Sequence, residues 1–104
     1  KKVNIKISSG AAKDFEEIVD WHAVENEKTA RRFRQEFART QNHIAQTPEG
    51  YAKYHKNFRK TGMNIFRYSV YYEADTAKEE ATVAAVVHQS RSRQTILGKL
   101  KRKK

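Results

Sequence analysis

The side chains with most chemistry to offer lie in the second half of the chain. Arg67 and Arg91 carry permanent charge and could hold a phosphate or stabilise charge developing at phosphorus. His88 and His55 could exchange a proton, because an imidazole titrates at about 6.5 when unperturbed. Together they could cleave RNA without a metal. A base would take the 2′-hydroxyl proton, an acid would protonate the leaving oxygen, and guanidinium groups would steady the phosphorus centre. Lys56, Arg59 and Tyr71 are further groups that could contribute.

Other chemistries lose support on residue type alone. The four glycines (10, 50, 62, 98) are isolated, so no phosphate-cradling loop is present, and no G-x-S-x-G elbow occurs. There is no cysteine, and the four histidines (22, 43, 55, 88) lack ligand spacing and neighbouring carboxylates. No metal and no cofactor is expected.

Charge points to an anionic partner. Residues 1–50 hold nine Lys/Arg against eight Asp/Glu, whereas residues 51–104 hold thirteen against four, so the second half carries +9 of the net +10. Such a field concentrates nucleic acid or an acidic protein at the surface, without specifying which. Lys53, Lys56, Arg59, Lys60, Arg67, Tyr71, His88, Arg91 and Arg93 form the candidate target- or nucleic-acid-binding set.

These residues need a scaffold, and 104 residues suit one compact domain. Val3, Ile5 and Ile7 alternate with polar residues as in a strand. Ser8-Ser9-Gly10 offers a helix cap, and Ala11, Phe15, Ile18, Val19 and His22 form the apolar stripe of helix 1, with Lys13, Asp14, Glu16, Glu17 and Asp20 on its wet face. Asn26 can cap a second helix buried along Ala30, Phe33, Phe37, Ile44 and Ala45 and stopped by Pro48 and Gly50; Trp21, Phe33 and Phe37 read as packing residues.

Residues 51–60 supply part of a second strand and Asn64–Asp75 a third, with Phe66, Tyr68, Val70 and Tyr72 on one face and Ile65, Arg67, Ser69 and Tyr71 on the other. Thr82–Val87 is apolar on both faces, as in a central strand, and ends at His88. The order β-α-α-β-β-β predicts an α+β fold, two helices on one face of a small, mainly antiparallel sheet. Its other face is expected to stay open as a shallow basic groove presenting Arg67 and Tyr71. The domain is expected to end at 98, with 99–104 a frayed basic tail.

No segment is long and apolar enough to span a bilayer, the run Val83–Val87 being far short, and Lys1–Ile7 lacks the continuous apolar core of an export signal. A cytoplasmic protein without membrane contact is expected.

Four segments, AAKDFEEIVDWH (11–22), TARRFRQEF (29–37), NIFRYSVYYEAD (64–75) and TVAAVVHQSRSR (82–93), in this order and spacing, resemble the ParE/RelE superfamily of bacterial toxins from type II toxin-antitoxin pairs, over about residues 3–97. The resemblance implies the β-α-α-β-β-β toxin fold, a cognate and usually acidic antitoxin, growth arrest, and a place in plasmid stabilisation or a chromosomal module. It implies two possible targets: RelE-like members cut messenger RNA on the ribosome, and ParE-like members inhibit DNA gyrase and are not nucleases.

Arg67 in IFRYSVYY matches the strand arginine of RelE-like enzymes, and Arg91 a second arginine after the last strand. Where those enzymes have two lysines before the turn, this chain has His55 and Asn57, with Lys53 and Lys56 out of register. Their tyrosine beyond the last arginine is missing from Gln94–Leu97. A glutamate-arginine-histidine ribonuclease branch would have only Glu49 near at hand. His88-x-x-Arg91 after an apolar strand resembles the ParE branch instead.

The reading is therefore a ParE-like gyrase inhibitor, a binding protein rather than an enzyme. One alternative is a metal-independent RelE-like endoribonuclease using Arg67, Arg91, His88 and His55, with ribosome and messenger RNA as partners. A second alternative is a non-toxic basic nucleic-acid-binding domain.

Overall fold

The computed structural model describes residues 2–102. Its elements are β1 (Asn4–Ile7), α1 (Ser9–Glu25), α2 (Glu27–Gln46), β2 (Lys53–His55), β3 (Phe58–Gly62), β4 (Tyr68–Asp75), β5 (Glu80–His88) and α3 (Arg93–Leu100), with a 3-10 turn at Thr76–Lys78. Short polar side chains start each helix by accepting an orphan amide hydrogen: Ser8 from Ala11 N–H, Asn26 from Lys28 N–H and Ser92 from Thr95 N–H. The strands form one sheet in the order β1-β5-β4-β3-β2, with β1 parallel to β5 and the other neighbours antiparallel.

The expected α+β order is present. α1 and α2 cover one sheet face through Ala11, Val19, Ala30, Phe33, Phe37 and Ile44, against Val70, Tyr72, Val83 and Val86. The second strand expected within residues 51–60 is a hairpin of two, β2 and β3. The strand expected from Asn64 begins only at Tyr68, because residues 64–67 form bends.

The bare second face does not exist as expected. α3 lies across it, and Ile96 and Leu100, four residues apart on one helical face, pack with Tyr71, Ala84, Ala85 and Val87, flanked by Tyr54 and Phe58. Tyr71 is 1 % exposed. The proposed groove across the sheet is thereby filled by the chain itself, and Tyr71 has no surface to offer a partner.

Neither is the end of the chain a frayed tail over its described length, since Lys99 and Leu100 belong to α3 and Arg102 is anchored. Lys103 and Lys104 lie outside the described residues. Between Tyr71↔Ala85 and Tyr72↔Val83, β5 inserts Ala84 as a bulge. Asp14, expected on the wet face of α1, is 4 % exposed and reaches this bulge. Its Oδ2 accepts from Val86 N–H at 3.1 Å; Lys99 Nζ donates to Oδ1 at 2.9 Å, and Arg102 reaches both oxygens, Nη2 to Oδ2 at 3.0 Å and Nη1 to Oδ1 at 3.2 Å. Arg102 Nη2 also donates to Ala84 O at 3.0 Å. One buried carboxylate thus ties α1, β5 and the end of α3 together.

Gly10 makes room for that tie. A Cβ there would stand 2.7 Å from Arg102 Nε. Gly10→Ala, which should favour an exposed helix interior by up to about 1 kcal/mol, is expected instead to lower the stability by about 1 kcal/mol, because it pushes Arg102 off charged hydrogen bonds each worth roughly 1.5–3 kcal/mol. Thermal melts of the two proteins check the sign.

Among the described residues, no helix is long and apolar enough to cross a membrane, and no group of three His, Cys, Asp or Glu could hold a metal ion.

Candidate functional site

The strand ends bring Arg67, His88 and Arg91 together. Tyr68, first in β4, pairs with His88, last in β5, and Gln89 N–H donates to Arg67 O at 2.8 Å, so the bend before β4 is stitched to the turn after β5. The C-terminal half of α1 stands opposite. Between them opens a recess of about 620 Å³ lined by Trp21, His22, Ile65, Phe66, Arg67, Tyr68, His88, Ser90 and Arg91. An inner recess of about 270 Å³ shares Trp21, Tyr68, His88 and Arg91 and is bordered by Glu17, Ile18 and the Asp14–Lys99 pair.

Rings build the inner wall. His22 lies edge-on to Phe66 (5.5 Å between centroids) and Tyr68 (6.1 Å), and Tyr68 lies edge-on to His88 (5.2 Å). Burial pushes His22 below the usual imidazole value and Tyr68 above the usual phenol value, so both rings are neutral at pH 7. His22 is the boundary residue its helical position suggests.

His88 is constrained by its own turn. Ser90 N–H donates to His88 Nδ1 at 3.0 Å, and Ser90 Oγ lies 2.8 Å from the same nitrogen. Nδ1 is therefore an acceptor, and the neutral ring carries its hydrogen on Nε2. In this form Nε2 can donate a hydrogen bond but has no lone pair with which to remove a proton.

The rest of the expected set lies elsewhere. His55 pairs with Phe58, which pairs with Glu73, five residues along β4 from Tyr68. That is about 17 Å along the strands before the sideways step across the sheet. Lys53 and Lys56 share this far hairpin. Arg59 is occupied in closing the loop before it, with Nη1 donating to Tyr51 O at 2.6 Å and Glu49 O at 3.4 Å. Lys60 and Arg93 lie over the ring of Tyr54 at 5.4 and 4.9 Å on the α3 side of the sheet.

Two residues of the recess escape a reading by pattern. Trp21, expected to pack, is 64 % exposed, and Ile65 is 56 % exposed. Trp21 falls one residue off the stripe of Phe15, Ile18 and His22, which is the available sequence signal; Ile65 gives none, since its exposure arises from a bend that the alternating pattern conceals.

A family model for the ParE toxin of the type II toxin-antitoxin system parDE matches residues 5–93. Among solved structures, the chain is similar to one titled as the chromosomal ParDE toxin-antitoxin system from P. aeruginosa, at 15 % identity and a TM-score of 0.71, with 84 % of this chain and 96 % of that one covered. It is also similar to the isolated E. coli RelE toxin, at 13 % identity and a TM-score of 0.57, with 92 % and 94 % covered. No curated protein sequence matches. The solved structures speak for the fold, while the family match spans most of the chain and carries more. By that match, the chain belongs to the ParE toxin family of type II toxin-antitoxin systems.

Proposed function

We propose that this toxin disables DNA gyrase by binding it, without covalent chemistry, and is held inactive by its cognate antitoxin. Gyrase is the target implied for the ParE branch. The observation that supports binding over catalysis is the separation of the candidate acid and base. His55 lies at the far end of the sheet from His88, and the Nδ1 contacts of His88 leave a hydrogen on its outward nitrogen. Arg67 and Arg91 remain as charge without a proton-transfer pair.

Purified toxin is expected to inhibit supercoiling by gyrase in proportion to its concentration, and addition of antitoxin to restore it. Unchanged supercoiling at a large excess of folded toxin would remove gyrase as the target.

The convergence of Arg67, His88 and Arg91 in one recess favours the ribonuclease as the second reading. Primer extension on translated messages separates the two. No toxin-dependent ends are expected; ends that fall by a factor of about 100 or more in Arg67→Ala, as removal of a charge-stabilising group would produce, would establish the enzyme instead.

A further inference from the structure

β1 is an open edge of the sheet, paired on one side with β5 alone. Asn4 N–H donates to Glu79 O at 2.9 Å and Ser8 N–H to Val83 O at 3.0 Å, so these even-numbered amides face β5. Strand alternation turns the amide and carbonyl of Ile5 and of Ile7 the other way, where no strand stands. Val3 N–H, which also points outward, is taken by Ala45 O at 3.0 Å.

Such an edge is normally guarded by a proline, a bulge or an outward lysine. β1 has no proline, and it pairs with β5 in continuous register. Its neighbouring lysines lean back onto the molecule: Lys6 Nζ lies 3.0 Å from Glu80 Oε2, and Lys2 Nζ donates to Asn42 Oδ1 at 2.7 Å. Ile7 is 42 % exposed and lines a groove of about 340 Å³ with Phe15 of α1 and Phe37 of α2. An aliphatic side chain and unpaired backbone groups are thus left together for another strand to cover.

Charge decides which strand. Residues 1–50 carry nine Lys/Arg against eight Asp/Glu, so this end of the molecule offers an acidic partner little attraction. The basic hairpin of β2 and β3 ends at the opposite edge, about 19 Å away across the sheet and beyond two Debye lengths at physiological salt. A second copy therefore meets least repulsion here, and Glu16 and Arg34 give the groove of each copy both an acid and a base.

The strand also fits itself. With a two-fold axis beside Ile5, antiparallel pairing sets Ile5 against the partner's Ile5, Ile7 against the partner's Val3 and Lys6 against the partner's Asn4, with no like charges opposite. Ile5 N–H then donates to the partner's Ile5 O and Ile7 N–H to the partner's Val3 O, each bond repeated by the symmetry. The alternative register that satisfies Ile5 and Ile7 would oppose the two copies of Lys6.

We infer that the toxin self-associates through β1, two sheets joining edge to edge, with Ile7 of each copy covered by the other. The inference does not depend on which target the toxin acts on.

Sedimentation equilibrium of the full chain without antitoxin is expected to show a dimer with Kd of about 10–100 µM, weak because a short edge falls below a standard interface. Raising NaCl from about 0.05 to 0.5 M should tighten it by about threefold, since salt screens the repulsion between two chains of net charge +10. Ile7→Pro removes an amide that the fold leaves unused, on an edge strand where proline is accepted, and should weaken the dimer at least about tenfold. Ile7→Lys guards the edge without altering the backbone and should do the same if the proline variant fails to fold.

The chain has no cysteine, so single thiols report the register. Two copies of position 5 stand about 5.5 Å apart between Cα atoms, within disulfide reach, and two copies of position 6 about 8 Å, beyond it. Mild oxidation is expected to crosslink Ile5→Cys and not Lys6→Cys, and amide exchange at Ile5 and Ile7 should slow as toxin concentration rises. A chain monomeric up to about 200 µM, a dimer that both Ile7 variants leave unchanged, or crosslinking at position 6 in place of position 5 would overturn the inference. Exchange at Ile5 and Ile7 slowed only by added antitoxin would overturn it too, assigning the edge to that partner.

Discussion

Asp14→Ala is expected to destabilise the toxin by about 3 kcal/mol and lower its Tm by roughly 15 °C, as read by thermal melts followed by circular dichroism. The substitution removes the one acceptor shared by Val86 N–H, Lys99 and Arg102. Breaking a buried charge pair from one side costs about 3–5 kcal/mol, because the partner is left desolvated. Lys99 and Arg102 are each about 30 % exposed, so water can recover part of that loss, which places the expectation at the lower end. Asp14→Asn keeps an acceptor for Val86 N–H without the charge and should fall between Ala and wild type.

The same carboxylate gives stability a defined acid dependence. Burial pushes Asp14 upward, but the hydrogen bonds from Arg102, Lys99 and Val86 N–H, with the charge of Lys99, outweigh it and hold the folded pKa below the usual carboxylate range. A carboxylate lowered on folding stabilises the native state above its unfolded pKa and loses that contribution as pH falls through the folded one. The gap in Tm between wild type and Asp14→Asn should be full at pH 7 and close progressively below about pH 4. A gap that stayed constant down to pH 2 would show that geometry alone, without the charge, accounts for the effect.

Periodicity made most of the scaffold legible. The stripe Ala30, Phe33, Phe37, Ile44 and Ala45 is buried as its spacing implies, and Ser8 and Asn26 cap the helices their positions suggest. β5 is apolar on both faces because α1 and α2 cover one and α3 the other. What stayed hidden depends on partners far away in sequence. Asp14 sits among Lys13, Glu16 and Glu17 and looks like one more wet residue; only the bulge at Ala84, seventy residues on, gives it a reason to be buried. α3 offers just Ile96 and Leu100 as its apolar face, too short a pattern to stand out beside the basic run that follows. From its absence came the open groove and the outward Tyr71. The candidate site divides in the same way: the strand ends place Arg67, His88 and Arg91 together, whereas the hairpin of β2 and β3 carries His55, Lys53 and Lys56 away.

Phe33→Ala should cost about 3–5 kcal/mol, because a large ring removed from a close-packed interior leaves a cavity that the fold fills only in part. Phe33 is fully buried and touches rings on every side: Phe15 at 5.7 Å, His22 at 5.8 Å, Phe66 at 5.4 Å and Tyr68 at 5.3 Å between centroids. Three of these, His22, Phe66 and Tyr68, form the inner wall of the recess, so the damage should reach the site as well as the fold. Phe33→Leu, which retains most of the volume, should cost no more than about 1.5 kcal/mol and leave the recess standing. Denaturant titration measures the stability of both variants, and Trp21 emission in the native baseline reads the recess. Wild-type emission in a native but strongly destabilised Phe33→Ala would show that the wall is held by the strand ends and not by the ring behind it.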